Sequence, residues 1–150
     1  MPRVRFKSLV WIVRPSGDGA GAAQVLLLER PGERGGGLHP VTGNAERGEA
    51  PFDAAQREAL EETGLRGELV DLQFRHEFQG PRARFVEHAF LLRVAAGAEV
   101  TLSDEHVRAL WTDRADAQAR IGWDAHRAAL LLALAAWDAL AGPARLKRGG

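Results

Sequence analysis

The sequence predicts an α/β domain, and three observations carry that prediction. Short runs rich in valine and leucine, bounded by glycine and proline, read as strands. Residues 51–63 switch to a helical pattern, and 123–140 do so again near the end of the chain. A length of 150 residues, with ordinary apolar and charged fractions, suits a single domain that buries its own core.

Each element has its own signal. Phe6 to Val13 (FKSLVWIV) is apolar and β-branched enough for a strand, and Pro15 to Ala20, with Gly17 and Gly19, reads as a turn. Gln24 to Glu29 (QVLLLE) is a second strand whose leucines predict burial on both faces. The glycine-rich residues 31–37 form a flexible loop before a short strand from His39 to Thr42. Pro51 to Thr63 is a helix, since proline is tolerated in a first turn, Asp53 suits the positive N-terminal end and Gly64 is a fitting stop. Its expected core side is Phe52, Ala55, Ala59 and Leu60. Glu68 to Phe78 and Arg84 to Val94 form a hairpin through Gly80-Pro81, followed by short strands at Val100 to Leu102 and Val107 to Trp111. Asp113 to Ala119 is a short helix and Trp123 to Leu140 a longer one ended by Gly142-Pro143, leaving a basic, frayed tail at 142–150. The core therefore covers about residues 6–140.

Composition excludes several classes of function. Formal net charge is zero, which argues against polymeric nucleic acid as a partner but leaves small phosphorylated molecules open. No cysteine is present, so disulfides, thiolate catalysis and cysteine-ligated zinc are ruled out. The N-terminus lacks the pattern of a signal peptide, and the most apolar segment, 128–140, is too short to span a bilayer. These features predict a soluble cytoplasmic protein with no membrane partner; a homodimer stays open. The basic residues are almost all arginine, with lysine only at 7 and 147.

Gly43-Asn-Ala-Glu-Arg-Gly-Glu49, followed by Arg57-Glu-Ala-Leu-Glu-Glu-Thr-Gly-Leu65, is the most informative stretch. Glu58 lies three residues from Glu61 and four from Glu62, so the helix gathers its carboxylates on one face. Like charges one turn apart repel. A hard divalent cation removes that objection and favours an oxygen cluster of this kind. Arg57, one turn before Glu61, is placed to pair with it.

The full pattern resembles the Nudix box, with Gly43, Glu49, Arg57, Glu58, Ala59, Glu61, Glu62, Gly64 and Leu65 occupying its positions. Ala59 is the smallest acceptable occupant of its aliphatic position. At roughly 5–7% per strict position, seven such positions coincide by chance on the order of 10⁻⁸ to 10⁻⁹. The resemblance implies the Nudix fold, a mixed β-sheet sandwiched between α-helices, and a Mg²⁺-dependent diphosphatase, with Mn²⁺ as a substitute. It implies Glu61 and Glu62 as direct metal ligands, and Glu58 as a ligand or as the group that activates water. Arg57 becomes the brace, Glu49 its partner or an outer ligand, and the backbone carbonyl of Thr42 or Gly43 a further ligand.

Outside the box, His39-Pro-Val-Thr-Gly43, Asp104-Glu-His106, Trp111, and Trp123 with His126-Arg127-Ala128 are similar to bacterial dihydroneopterin triphosphate pyrophosphatases. That similarity implies Glu105 as a late metal-binding carboxylate and candidate base, against the alternative of an ordinary acidic turn. Trp111 and Trp123 are candidate stacking surfaces for a pterin or purine, or else packing aromatics. Arg30 is a candidate for substrate phosphates. Glu87, mid-strand, either points inward to the metal site or faces solvent. His76, His88 and His106 lack zinc-ligand spacing among themselves. Competing substrates are the (deoxy)nucleoside triphosphates of a house-cleaning enzyme and dinucleoside polyphosphates; a non-catalytic nucleotide-sensing Nudix domain is the competing class.

Overall fold

The computed structural model describes residues 3–17 and 22–148, with the backbone alone beyond residue 140. β1 (Val4–Pro15) is the central strand, longer at both ends than its apolar core. β2 (Ala23–Glu29) runs antiparallel to it through Val13↔Val25. The expected strand at 39–42 divides into β3 (Leu38–His39) and β4 (Val41–Asn44) on either side of Pro40. Proline has no N–H for a ladder, so the chain changes partner there: β3 pairs β2 and β4 pairs β1. β5 (Glu68–Gln79) and β6 (Arg84–Arg93) form the expected hairpin, with a bulge between Asp71 and Phe74, and β6 lies parallel to β1. β7 (Arg108–Thr112) closes against β2. The mixed sheet has the order β3-β2-β1-β6-β5.

Helices cover both faces. α1 (Pro51–Thr63) lies on one, and α2 (Arg114–Arg120) with α3 (Asp124–Arg148) on the other. The period of two along β1 sends Leu9, Trp11 and Val13 to the α3 side and Val10 and Ile12 to the α1 side. β2 is likewise buried on both faces, with Leu27 in one cluster and Leu26 and Leu28 in the other. Against the sheet α1 presents Ala54, Ala55 and Ala59, small residues that let the helix approach closely. Phe52, expected in the core, is exposed at the first turn, where its ring meets Phe90 edge-on.

Two further expectations are corrected. Residues 100–102 form no strand. Their backbone is satisfied by the end of α1: Thr101 N–H donates to the Thr63 carbonyl at 2.8 Å, and Ser103 N–H to the Glu62 carbonyl at 3.3 Å. The second correction concerns α3, which passes through Gly142 and Pro143 to Arg148 instead of stopping near Leu140, so the tail at 142–148 is helical. Proline removes one hydrogen bond from such a helix, a local cost that the turns on either side can absorb. Residues 149–150, like 18–20 of the predicted turn, lie outside the described residues. No helix among the described residues is long and apolar enough to cross a membrane.

Candidate active site

Glycine opens the site. Gly43, in β4, packs against α1, where a Cβ would lie 2.1 Å from Cδ of Glu58. At the far end of the helix Gly64 adopts φ 71° and donates its N–H to the Leu60 carbonyl, the left-handed stop that favours glycine. Between these two glycines the helix carries Glu58 and Glu62 toward one cavity.

Arg57 braces the loop against the helix. Its guanidinium donates twice to Glu49, from Nε and Nη2 at 2.9 Å each, and reaches Glu58 at 2.9 Å, Glu61 at 3.2 Å and the Asn44 carbonyl at 3.0 Å. These bonds to Arg57 hold the Glu49 carboxyl down at about 2 and push the guanidinium above its ordinary range. Expected as a metal ligand, Glu61 has a carboxylate 57% exposed and engaged with Arg57.

Glu62 is only 4% exposed, and its Oε2 is buried without a hydrogen-bond partner. Burial, followed by the carboxyls of Glu105 and Glu58, pushes it up to about 9. Burial also raises Glu58. The bond from Ser103 to Glu62 that displaced the predicted strand also carries the 104–106 turn over the helix end. As a result, ligand atoms of Glu62, Glu105 and His106 lie within 4.8 Å of one another. His106 escaped the spacing argument because its neighbours here come from α1, far away in sequence.

The imidazoles extend this group. His39 Nδ1 donates to the Pro40 carbonyl, which leaves Nε2 to accept from His106 Nε2–H at 3.1 Å. Burial, then the nearby Arg30 charge, lowers His39 to about 3, so its ring is neutral. His106 Nδ1 then carries a lone pair, and that atom too is buried without a hydrogen-bond partner. These two buried atoms without partners, beside the carboxylate of Glu105, fit a divalent cation, which satisfies such atoms where protein donors do not.

The cluster borders a cavity of about 300 Å³, which Lys7, Arg30, Arg34, Thr42 and Gly43 also line. Arg30 donates to the Thr42 hydroxyl at 3.2 Å and faces both this cavity and a second one. The second, about 400 Å³, shares Lys7, Arg30 and Thr42 and adds His76, Phe78, Glu87, Trp123 and His126. Trp123, 70% exposed, stands on its rim. Trp111 does not join it: its ring lies 4.0 Å from the Arg14 guanidinium, at a separate surface depression beside Ala98. Neither Lys7 nor Phe78 stood out in the sequence as a site residue; the one available signal was that Lys7 is one of only two lysines in an arginine-rich chain.

This mixed sheet between helices, with a glycine-bounded carboxylate helix beside a cavity of both charge signs, is the architecture of a Nudix-fold domain. The chain belongs to the Nudix family, whose NUDIX domain matches residues 7–134. The fold is shared with a C. elegans Ap4A hydrolase in a binary complex (TM-score 0.73, 21% identity, 85% of this chain and 93% of that one). It is also shared with the E. coli dihydroneopterin triphosphate pyrophosphohydrolase (TM-score 0.68, 26% identity, 83% and 91%). An octanoyltransferase of Myxococcus xanthus is 45% identical over 95 residues, which span 61% of this chain and 27% of that protein.

Proposed function

We propose that this domain is a divalent-metal-dependent pyrophosphohydrolase that cleaves a diphosphate linkage in a nucleoside-triphosphate-like substrate, with dihydroneopterin triphosphate as the leading candidate. The observation that carries this reading is Glu62: a buried carboxylate with an orphaned oxygen, beside Glu105 and His106, at the wall of a cavity that Lys7, Arg30 and Arg34 also line. Glu62, Glu58 and Glu105 would hold Mg²⁺, or Mn²⁺ in its place, with the backbone carbonyl of Thr42 or Gly43 as a further ligand. Glu61 keeps its expected ligand role only by exchanging Arg57 for the cation. A bound cation supplies charge neutralisation on the diphosphate and acidifies water.

The chain's own residues supply the rest. Arg30 and Arg34 face the cavity as cations for phosphate oxygens. Glu58 is oriented by Arg57, and Glu105 stands across the same cavity; these are the two candidate proton acceptors. Water adds to one phosphorus, the bridging P–O bond breaks, and the proton passes to a carboxylate. Two phosphorylated products leave.

The experiment is Mg²⁺-dependent release of phosphate or pyrophosphate from a panel of pterin triphosphate, nucleoside triphosphates and dinucleoside polyphosphates. Glu62→Gln is expected to lower kcat by roughly 100-fold or more, the scale on which catalytic metal sites fail. A Glu62→Gln protein with full turnover would remove the metal assignment. Turnover of the nucleotides alone would remove the pterin.

A further inference from the structure

We propose that Lys7 and Glu87 form the specificity-determining pair of the second cavity, and that they select a ring carrying the 2-amino-4-oxopyrimidine edge shared by guanine and pterins. The inference rests on the proposed hydrolase function and names the ring of its substrate.

Glu87 lies mid-strand on β6 yet is only 3% exposed. It points inward, but into the aromatic cavity and not the metal cluster. Its one hydrogen bond among the described residues joins Oε1 to His76 Nε2 at 3.1 Å, so Oε2 keeps its accepting capacity. Burial raises this carboxyl, while the charges of His76 and Lys7 draw it back toward the ionised form. Among the described residues His76 alone donates to it, and Oε2 opens on the cavity instead of being sealed in the core. The catalytic reading leaves the group unused.

Lys7 is the register partner of Glu87 across the parallel β1–β6 ladder, so the two side chains leave the same face of the sheet. Among the described residues no ion pair joins them, and both line the cavity. The wall thus offers one donor group next to a two-oxygen acceptor. The edge that matches this order reads acceptor, donor, donor: a ring carbonyl for Lys7, then a ring N–H and an exocyclic amino group for Glu87. Guanine and pterin present that order. Adenine presents a donor, then an acceptor, and is mismatched at both positions; hypoxanthine lacks the amino group alone.

Size and stacking agree with a bicyclic ring. The cavity of about 400 Å³ lies within the usual range for small-molecule sites. Phe78 stacks between His76 and Phe85 at centroid distances of 5.3 and 5.1 Å, giving an aromatic floor. Trp123 stands exposed at the rim, placed to cover a bound ring. Because the two cavities share Lys7, Arg30 and Thr42, a ring in one leaves its phosphates in the other.

The test is kcat/KM with Mg²⁺ for GTP, ITP, ATP and dihydroneopterin triphosphate. A guanine or pterin substrate is expected to exceed ATP by roughly 100-fold and ITP to fall roughly 10-fold below GTP, the discrimination that buried polar recognition supplies. The GTP and pterin arms separate the two sources of the edge. Glu87→Gln offers one acceptor and one donor and is expected to bring the GTP:ITP ratio to within about 2-fold. ATP turned over as well as GTP and pterin, or an unchanged GTP:ITP ratio in Glu87→Gln, overturns the proposal. If Glu87→Gln does not fold, the wild-type ratios alone decide. If no substrate is hydrolysed, the hydrolase reading fails. Tryptophan quenching by GMP, IMP, AMP and neopterin without metal then still decides the pair: GMP or neopterin binding roughly 10-fold tighter than AMP supports it, and equal binding overturns it.

Discussion

A methyl group on Gly43 would occupy the space of the Glu58 carboxyl, 2.1 Å from its Cδ and 2.5 Å from Oε2. The glycine that opens the box is therefore required by the side chain of a helix residue fifteen positions later, not by its own backbone angle. Gly43→Ala is expected to displace Glu58 while leaving the sheet intact. The measurement is kcat for Mg²⁺-dependent phosphate release, with a loss of roughly 10–100-fold and an unchanged circular dichroism spectrum. Wild-type turnover would show that Glu58 has no fixed place in the reaction.

Arg57 distinguishes a brace from a mere surface cation. Lysine keeps its charge but cannot donate from two nitrogens to Glu49 while reaching Glu58. Arg57→Lys is expected to weaken Mg²⁺ or Mn²⁺ binding by roughly 10-fold, and Arg57→Ala by up to roughly 100-fold, as groups that orient metal ligands do. Calorimetric titration with each ion checks this, and equal affinities in the three proteins would remove the positioning role.

Trp11 ties the sheet to the helix that carries the cavity rim. Its ring is fully buried, and Nε1 donates to the His126 carbonyl at 3.0 Å. Trp11→Phe keeps an aromatic core residue and removes the donor, at an expected cost of about 1–3 kcal/mol. Urea unfolding should show a lower midpoint with an unchanged slope. KM should rise more than kcat falls, because the start of α3, with His126 and the preceding Trp123, loses its anchor.

Arg114 and Asp138 join the start of α2 to α3, with one hydrogen bond of 2.9 Å and a second, shorter contact. The Arg114 guanidinium holds Asp138 below its ordinary value of 3.8. A depressed carboxyl contributes stability that is present above 3.8 and is lost as pH falls through the lower folded value. The stability gap between wild type and Asp138→Asn should therefore be full at neutral pH and close below about pH 4. Urea midpoints measured from pH 3 to 7 check it; a gap independent of pH would place the effect elsewhere.

What the sequence determined by itself was the carboxylate-bearing helix and its glycine stop. The bounds of α1 match the expected Pro51–Thr63, because proline, an acidic first turn and a glycine stop all act locally. The two-faced burial of β2 was legible for the same reason, since alternation is a property of neighbouring residues. Tertiary structure decided everything that depends on distant partners. Residues 100–102 have strand-forming side chains, yet their amides found the last carbonyls of α1, and that exchange brought Glu105 and His106 to Glu62. Trp111 and Trp123 are equal as letters; the β2–β7 register placed one beside Arg14, and the chain's entry into α3 placed the other on the cavity rim. Lys7 and Glu87, eighty residues apart, became neighbours only through a parallel pairing whose strand order no periodicity encodes.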